Sequence, residues 1–244
     1  MIFAQAGLEI RILLRNGEQL LLTLIIPVLL LGAFSLEALV KVGSGSRADR
    51  VEFLVPGIIA LAVMSTAFTS QAIATGFERR YGVLKRLGST PLPRSGLIAA
   101  KTVMVIVIEL GQVIVITAVG LALGWQPHGG AVAVIWAVLL VLAGTAAFSG
   151  LALLLAGTLR AEATLAVANL IYLILLGVGG VIFPLSRFPA GARNVMTLLP
   201  SGALSDGLRS VLGHGGGMLL RDLAVLVVWA AATIALAART FRWE

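Results

Sequence analysis

Apolar residues fall in long blocks, without the strict alternation of a strand or the narrow stripe of a water-facing helix. Six blocks are long enough to cross a bilayer, whose hydrocarbon core of about 30 Å takes roughly 20 residues at about 1.5 Å each. They run Leu20–Leu39, Phe53–Thr75, Thr102–Leu123, Ala131–Ala156, Ala163–Phe183 and Leu223–Ala238. In lipid every backbone amide and carbonyl needs an internal partner, so a span is a helix or a strand of a closed barrel. Barrel strands alternate over about 10 residues, and these blocks do not. The pattern predicts an all-α polytopic membrane protein of six transmembrane helices, a single domain over 1–244.

Two further stretches are patterned but not of spanning type. In 1–18, Ile2, Phe3, Ala6, Ile10, Leu13 and Leu14 share one helical face, opposite Gln5, Glu9, Arg11, Arg15, Asn16 and Glu18. That amphipathic pattern predicts a helix lying in the membrane interface, and its acidic character argues against a cleaved leader. In 184–217, Ala203, Leu204, Gly207, Leu208, Val211 and Leu212 face away from Asp206, Arg209 and Ser210. The segment is too polar to span and too apolar for a free loop. Short helices at the outer leaflet are expected, acting as an outer gate or as a lid on the bundle.

Composition narrows the picture. The chain is 59% hydrophobic and 12% charged, against about 25% charged for a soluble domain. Cysteine is absent, which excludes disulfides and thiol chemistry. The net charge of +7 could suggest nucleic acid, but the basic run at Arg79–Arg86 has only Tyr81 for base stacking, so no nucleic-acid partner is expected. The basic residues instead set topology. Arg11, Arg15, the six basic residues of 76–101, Arg160, Arg239 and Arg242 fall on one side, against Lys41, Arg47, Arg50, Arg187, Arg193, Arg209 and Arg221 on the other, where the 125–130 loop carries no Lys or Arg. Both termini are expected in the cytoplasm of a cell-membrane protein.

The 76–101 segment, GFERRYGVLKRLGSTPLPRSGLIAAK, holds six basic residues. Glu78–Leu87 can form a short helix with Val83, Leu84 and Leu87 on one side, stopped by Gly88, Pro91 and Pro93. Such a rigid, partly apolar, cationic element between two spans suits a coupling helix that docks on a motor protein. A charged loop resting on anionic headgroups is the alternative.

The order of residues here resembles the ABC-2 type exporter permeases: Glu78-Arg79-Arg80, Gly82, Leu84, Leu87, Thr90-Pro91-Leu92, Arg94 and Lys101. Phe183-Pro184-Leu185-Ser186, Pro189, Leu199-Pro200-Ser201 and Gly207-Leu208-Arg209 resemble that family's stretch between its fifth and sixth spans. The resemblance implies six spans, an interfacial N-terminal helix, and coupling to a separate ATPase through Glu78, Arg79, Arg80, Tyr81, Gly82, Leu84, Lys85, Leu87 and Pro91. It also implies a second permease copy or homologue, cytoplasmic ATPase subunits that bind ATP and Mg, and short helices dipping into the outer leaflet, where Phe183, Pro184, Pro200, Leu204 and Leu208 are the candidates for an outer gate. One departure is Lys85, where the family often carries an acid; a partner surface facing it should be acidic.

Inside the spans, Glu109 sits midway along the third, with Gln112 one turn on. A charge at that depth costs about 2.5–3.5 kcal/mol on insertion scales, so Glu109 either lines a pathway or fixes helix packing. Asn169 is a milder case of the same choice. No GxxxxGK[ST] phosphate loop occurs, so ATP use is expected of a partner and no cofactor of this chain. His128 and His214 are isolated, giving no metal site. The expected function is the non-catalytic permease subunit of an ATP-driven exporter of an amphipathic, lipid-like or drug-like substrate. The competing class is a self-sufficient secondary transporter or intramembrane scaffold; the former should show internal repeats and broken helices, and no convincing repeat is present.

Overall fold

The computed structural model describes residues 7, 11, 17–35, 47–88, 94–183, 188–213 and 219–240, with the side chains at 17–23, 47, 87–88, 94–99 and 190 left aside. The interfacial helix expected over 1–18 lies almost wholly outside the described residues. The described backbone is helical, with no strand. Its elements are α1 (Gly17–Ser35), α2 (Arg47–Val63, continued by Met64–Ser70 and Gln71–Arg80), α3 (Val83–Gly88) and α4 (Arg94–Ala122). There follow α5 (Gly130–Thr158), α6 (Ala161–Val178), α7 (Ala190–Met196), α8 (Pro200–Leu212) and α9 (Leu219–Thr240). Among the described residues five helices, α2, α4, α5, α6 and α9, are long and apolar enough to span, and α1 contributes the shorter apolar stretch Leu24–Ser35.

The boundaries differ from the hydropathy reading in instructive ways. The second span runs on to Arg80, giving 33 residues from Ala48, about 50 Å of helix against a core of about 30 Å. Hydropathy ends a span where charge begins, but backbone hydrogen bonding does not stop there. The fifth span stops at Val178, not Phe183, because Gly179 leaves the helix and Gly180 takes φ +67°, a left-handed turn that glycine adopts without steric cost.

α2 is the hub. Of its most apolar stretch 83% is buried inside the bundle, against 17–33% for the other four spanning helices, whose outer faces carry exposed Val, Ile and Leu. Lipid is as apolar as those side chains, so their burial supplies little drive for association; close packing and internal hydrogen bonds must hold the bundle. Gly150 of α5 accordingly lies against Thr233 and Ile234 of α9, and Thr233 Oγ1, which donates to its own helix at the Trp229 carbonyl (2.8 Å), comes within 3.3 Å of the Ala147 carbonyl. At its middle α2 widens into a π-helical segment, Met64–Ser70, where Thr66 Oγ1 donates to Gln112 Oε1 of α4 at 3.0 Å. π insertions are frequent at functional sites.

Candidate functional site

The residues singled out in the sequence gather at two ends of the bundle and at one point between them. At the basic end, the continuous helix predicted over Glu78–Leu87 is interrupted. Glu78, Arg79 and Arg80 complete α2, Tyr81 and Gly82 form a turn, and α3 starts afresh at Val83. Gly82 takes φ +69°, which an L side chain resists. This break redistributes the side chains. Leu84 is fully buried, Val83 and Tyr81 are exposed at 40% and 67%, and Lys85 and Arg86 are exposed. Only the backbone of Leu87 is described, and Pro91 lies outside the described residues.

The three charges before the turn bind within the chain. Lys101 Nζ of α4, 3% exposed, lies 2.7 Å from Glu78 Oε2 and donates to Oε1 at 2.9 Å. Arg79 donates to the Leu159 carbonyl at the end of α5, and Arg80 pairs with Glu162 in the first turn of α6. Thr164 of α6 rests on Gly76. The projecting end of α2 is thus strapped to α4, α5 and α6 at once. Glu78 and Lys101 had been placed in one motif, but their pairing was not foreseen; the signal was an acid and a base bracketing one loop at the ends of adjacent spans.

At the other end α8 caps the bundle from within. Pro200 opens it at a position where a missing amide costs nothing. Pro200, Leu204, Leu208 and Leu212 repeat every four residues on one face and are all buried. Ser201 and Ser205 are buried as well, so α8 is enclosed on more sides than its amphipathic pattern suggests. Leu204 lies against Gly144, 14 residues into α5 and so about 21 Å from that helix's start. α8 therefore reaches roughly half the depth of the bundle.

Arg209 pins this cap. Its Nε donates to the Phe53 carbonyl at 3.1 Å and its Nη2 to the Val181 carbonyl at 2.8 Å, while the guanidinium lies 3.7 Å from the Phe53 ring centroid. Gly57 leaves the space: a Cβ there would approach Arg209 Nη2 to 2.6 Å. Ser205 Oγ donates to the Gly179 carbonyl at 2.7 Å. Sequence patterning had set Arg209 on the polar face, yet it is 14% exposed and serves as a buried fork between α2 and the turn after α6. Phe183 is half-buried beside this turn, and Pro184 lies outside the described residues.

Between the ends, Glu109 is 2% exposed. Thr145 Oγ1 of α5, next to Gly144, donates to its Oε2 at 2.5 Å. Asn169 faces outward from α6 and donates to its own helix at the Leu165 carbonyl, so within this chain it neither joins helices nor reaches Glu109.

A model of the ABC-2 type transporter family matches residues 5–212. The chain belongs to that family. The matched stretch contains the strapped basic end, Glu109 and the whole of α8, while α9 lies beyond it. No curated protein matches the chain. As an ABC-2 permease it is a multi-pass membrane protein of the ABC transporter type.

Proposed function

We propose that this permease is the membrane subunit of an ATP-driven exporter, worked by separate cytoplasmic ATPase subunits and paired with a second permease, identical or homologous. The basic end faces the cytoplasm, with both termini on that side. The ATPases hold ATP and Mg, and the cargo is amphipathic.

The observation that carries this reading is the construction of the basic end. A docking knob transmits motion only if it is tied to several spans, and here the helix before the knob is bound to α4, α5 and α6 through Glu78, Arg79 and Arg80. The knob itself offers Tyr81 and Val83, with Lys85 and Arg86 exposed around them. An apolar pair ringed by cations suits a cleft with an apolar floor and acidic rim. The roles divide accordingly: Tyr81, Val83 and Lys85 meet the motor, and Glu78, Arg79, Arg80 and Lys101 pass the displacement on. At the far end α8 gates release, because it is a short helix held by a few hydrogen bonds to α2 and to the turn after α6.

Co-purification with a candidate ATPase subunit, followed by reconstitution, tests the proposal. Nucleotide turnover and substrate export should require both subunits. Tyr81→Ala with Val83→Asp should cut coupled turnover at least about tenfold, the effect of losing roughly 1.4 kcal/mol of docking energy, while the permease still inserts. Export by the permease alone would refute the reading.

A further inference from the structure

Spans α4 and α5 are neighbours in sequence, yet they diverge along their outer faces and leave a cleft of about 330 Å³ between them. Leu110 and Val113 of α4 form one wall and Val138 and Leu142 of α5 the other, with Leu208 of the cap α8 behind. Leu110, Val138 and Leu142 are exposed on the bundle surface, so the cleft opens sideways where lipid would be. Among the described residues that line it, Glu109 is the only ionisable one. One carboxylate oxygen takes the Thr145 hydroxyl, whereas Oε1 is buried and has no hydrogen-bond partner among the described residues.

A buried carboxylate oxygen without a donor is costly in an apolar setting. A cation brought beside it offsets that cost, because attraction in a low-dielectric site is strong. The shape of the cleft restricts the rest of the ligand. Its far end is Trp125, whose ring packs at Gly120, 11 residues along α4 from Glu109 and so about 16 Å away. The lining over that length is almost wholly aliphatic, which suits an extended hydrocarbon chain.

We infer that this lateral cleft is a binding site for a single-chain amphiphile with a protonated amine, the ammonium meeting Glu109 and the chain lying along α4 toward Trp125. The inference rests on the exporter reading for its purpose, and it names the cargo class and the point of entry. Because Leu208 forms part of the wall, movement of α8 reshapes the site directly, which joins loading to the gate.

The test uses the full chain in phosphatidylcholine nanodiscs, with ω-bromododecylamine as probe and ω-bromododecanol as its uncharged match. The terminal bromine quenches a nearby indole, so Trp125 reports where the chain ends. The amine should quench saturably, the quenched component should vanish in Trp125→Phe, and the alcohol should need at least tenfold more. Glu109→Gln should erase the preference for amine over alcohol, and Val138→Phe, which fills the cleft, should weaken both. Equal quenching by amine and alcohol in the unaltered protein, a judgement that needs no variant to fold, overturns the site, as does an unchanged amine preference in Glu109→Gln. Coupled ATP turnover is read separately with the ATPase present. Turnover without amine preference rejects the cleft and keeps the exporter, and amine preference without turnover does the reverse.

Discussion

The basic end and the capped end of this bundle are closed by different means. At the basic end two of the three ties are ion pairs, Lys101 to Glu78 partly buried and Arg80 to Glu162 with 50% and 62% of the side chains exposed, and the third is Arg79 on the Leu159 carbonyl. At the capped end the ties are close-packed glycines and a buried guanidinium donating to two backbone carbonyls. Exposed ion pairs are weak and screened by salt; buried charge-assisted hydrogen bonds are strong and costly to orphan. On the proposed exporter reading, the contrast suits a compliant attachment point at one end and a gate with defined positions at the other.

Breaking the capped end should have the largest effect. Arg209→Ala leaves the Phe53 and Val181 carbonyls without their donor and should cost about 3 kcal/mol of folding stability, read as an earlier midpoint in a denaturing-detergent titration. Arg209→Lys should recover only part of it, since an ammonium cannot reproduce the planar fork. Gly144→Leu drives a side chain into Leu204, already 3.0 Å from a hypothetical Cβ at that position, and should cost about 2 kcal/mol. It should also shift α8, visible as faster proteolysis between α8 and α9.

The basic end should respond less. Lys101→Met strips Glu78 of its cation and should cost about 1 kcal/mol, most of it regained in the double variant with Glu78→Gln, because the orphaned charge is then gone. Arg80→Ala removes an exposed pair and should change stability by about 0.5 kcal/mol or less, an effect that added salt erases. A stability loss from Arg80→Ala as large as that from Arg209→Ala would abolish the contrast.

Much of this architecture is legible residue by residue, and the failures share a cause. The spans and the polar cap between α6 and α9 could be read because bilayer thickness and the absence of water constrain each segment by itself. Glu109 stood out for the same reason, as a charge at mid-span. The break at Gly82 was missed because the charged residues before it continue α2 and those after it begin a new helix, and both read as helix formers. Asn169 looked like helix-joining polarity, yet its partner is its own backbone, and spacing along one helix does not say which face its neighbours cover.

By itself, then, the sequence determined the solvent, the number of apolar blocks, the position of the basic segment between the second and third blocks and the family pattern, because each depends on composition within a short window. Which helix lies at the centre, how deep α8 reaches, and which charges pair were decided only by tertiary structure. Those outcomes depend on residues far apart in the chain: Arg80 meets Glu162 at a separation of 82 residues and Arg209 meets Phe53 at 156. In lipid, where apolar burial adds little, contacts of that kind select the arrangement of the helices.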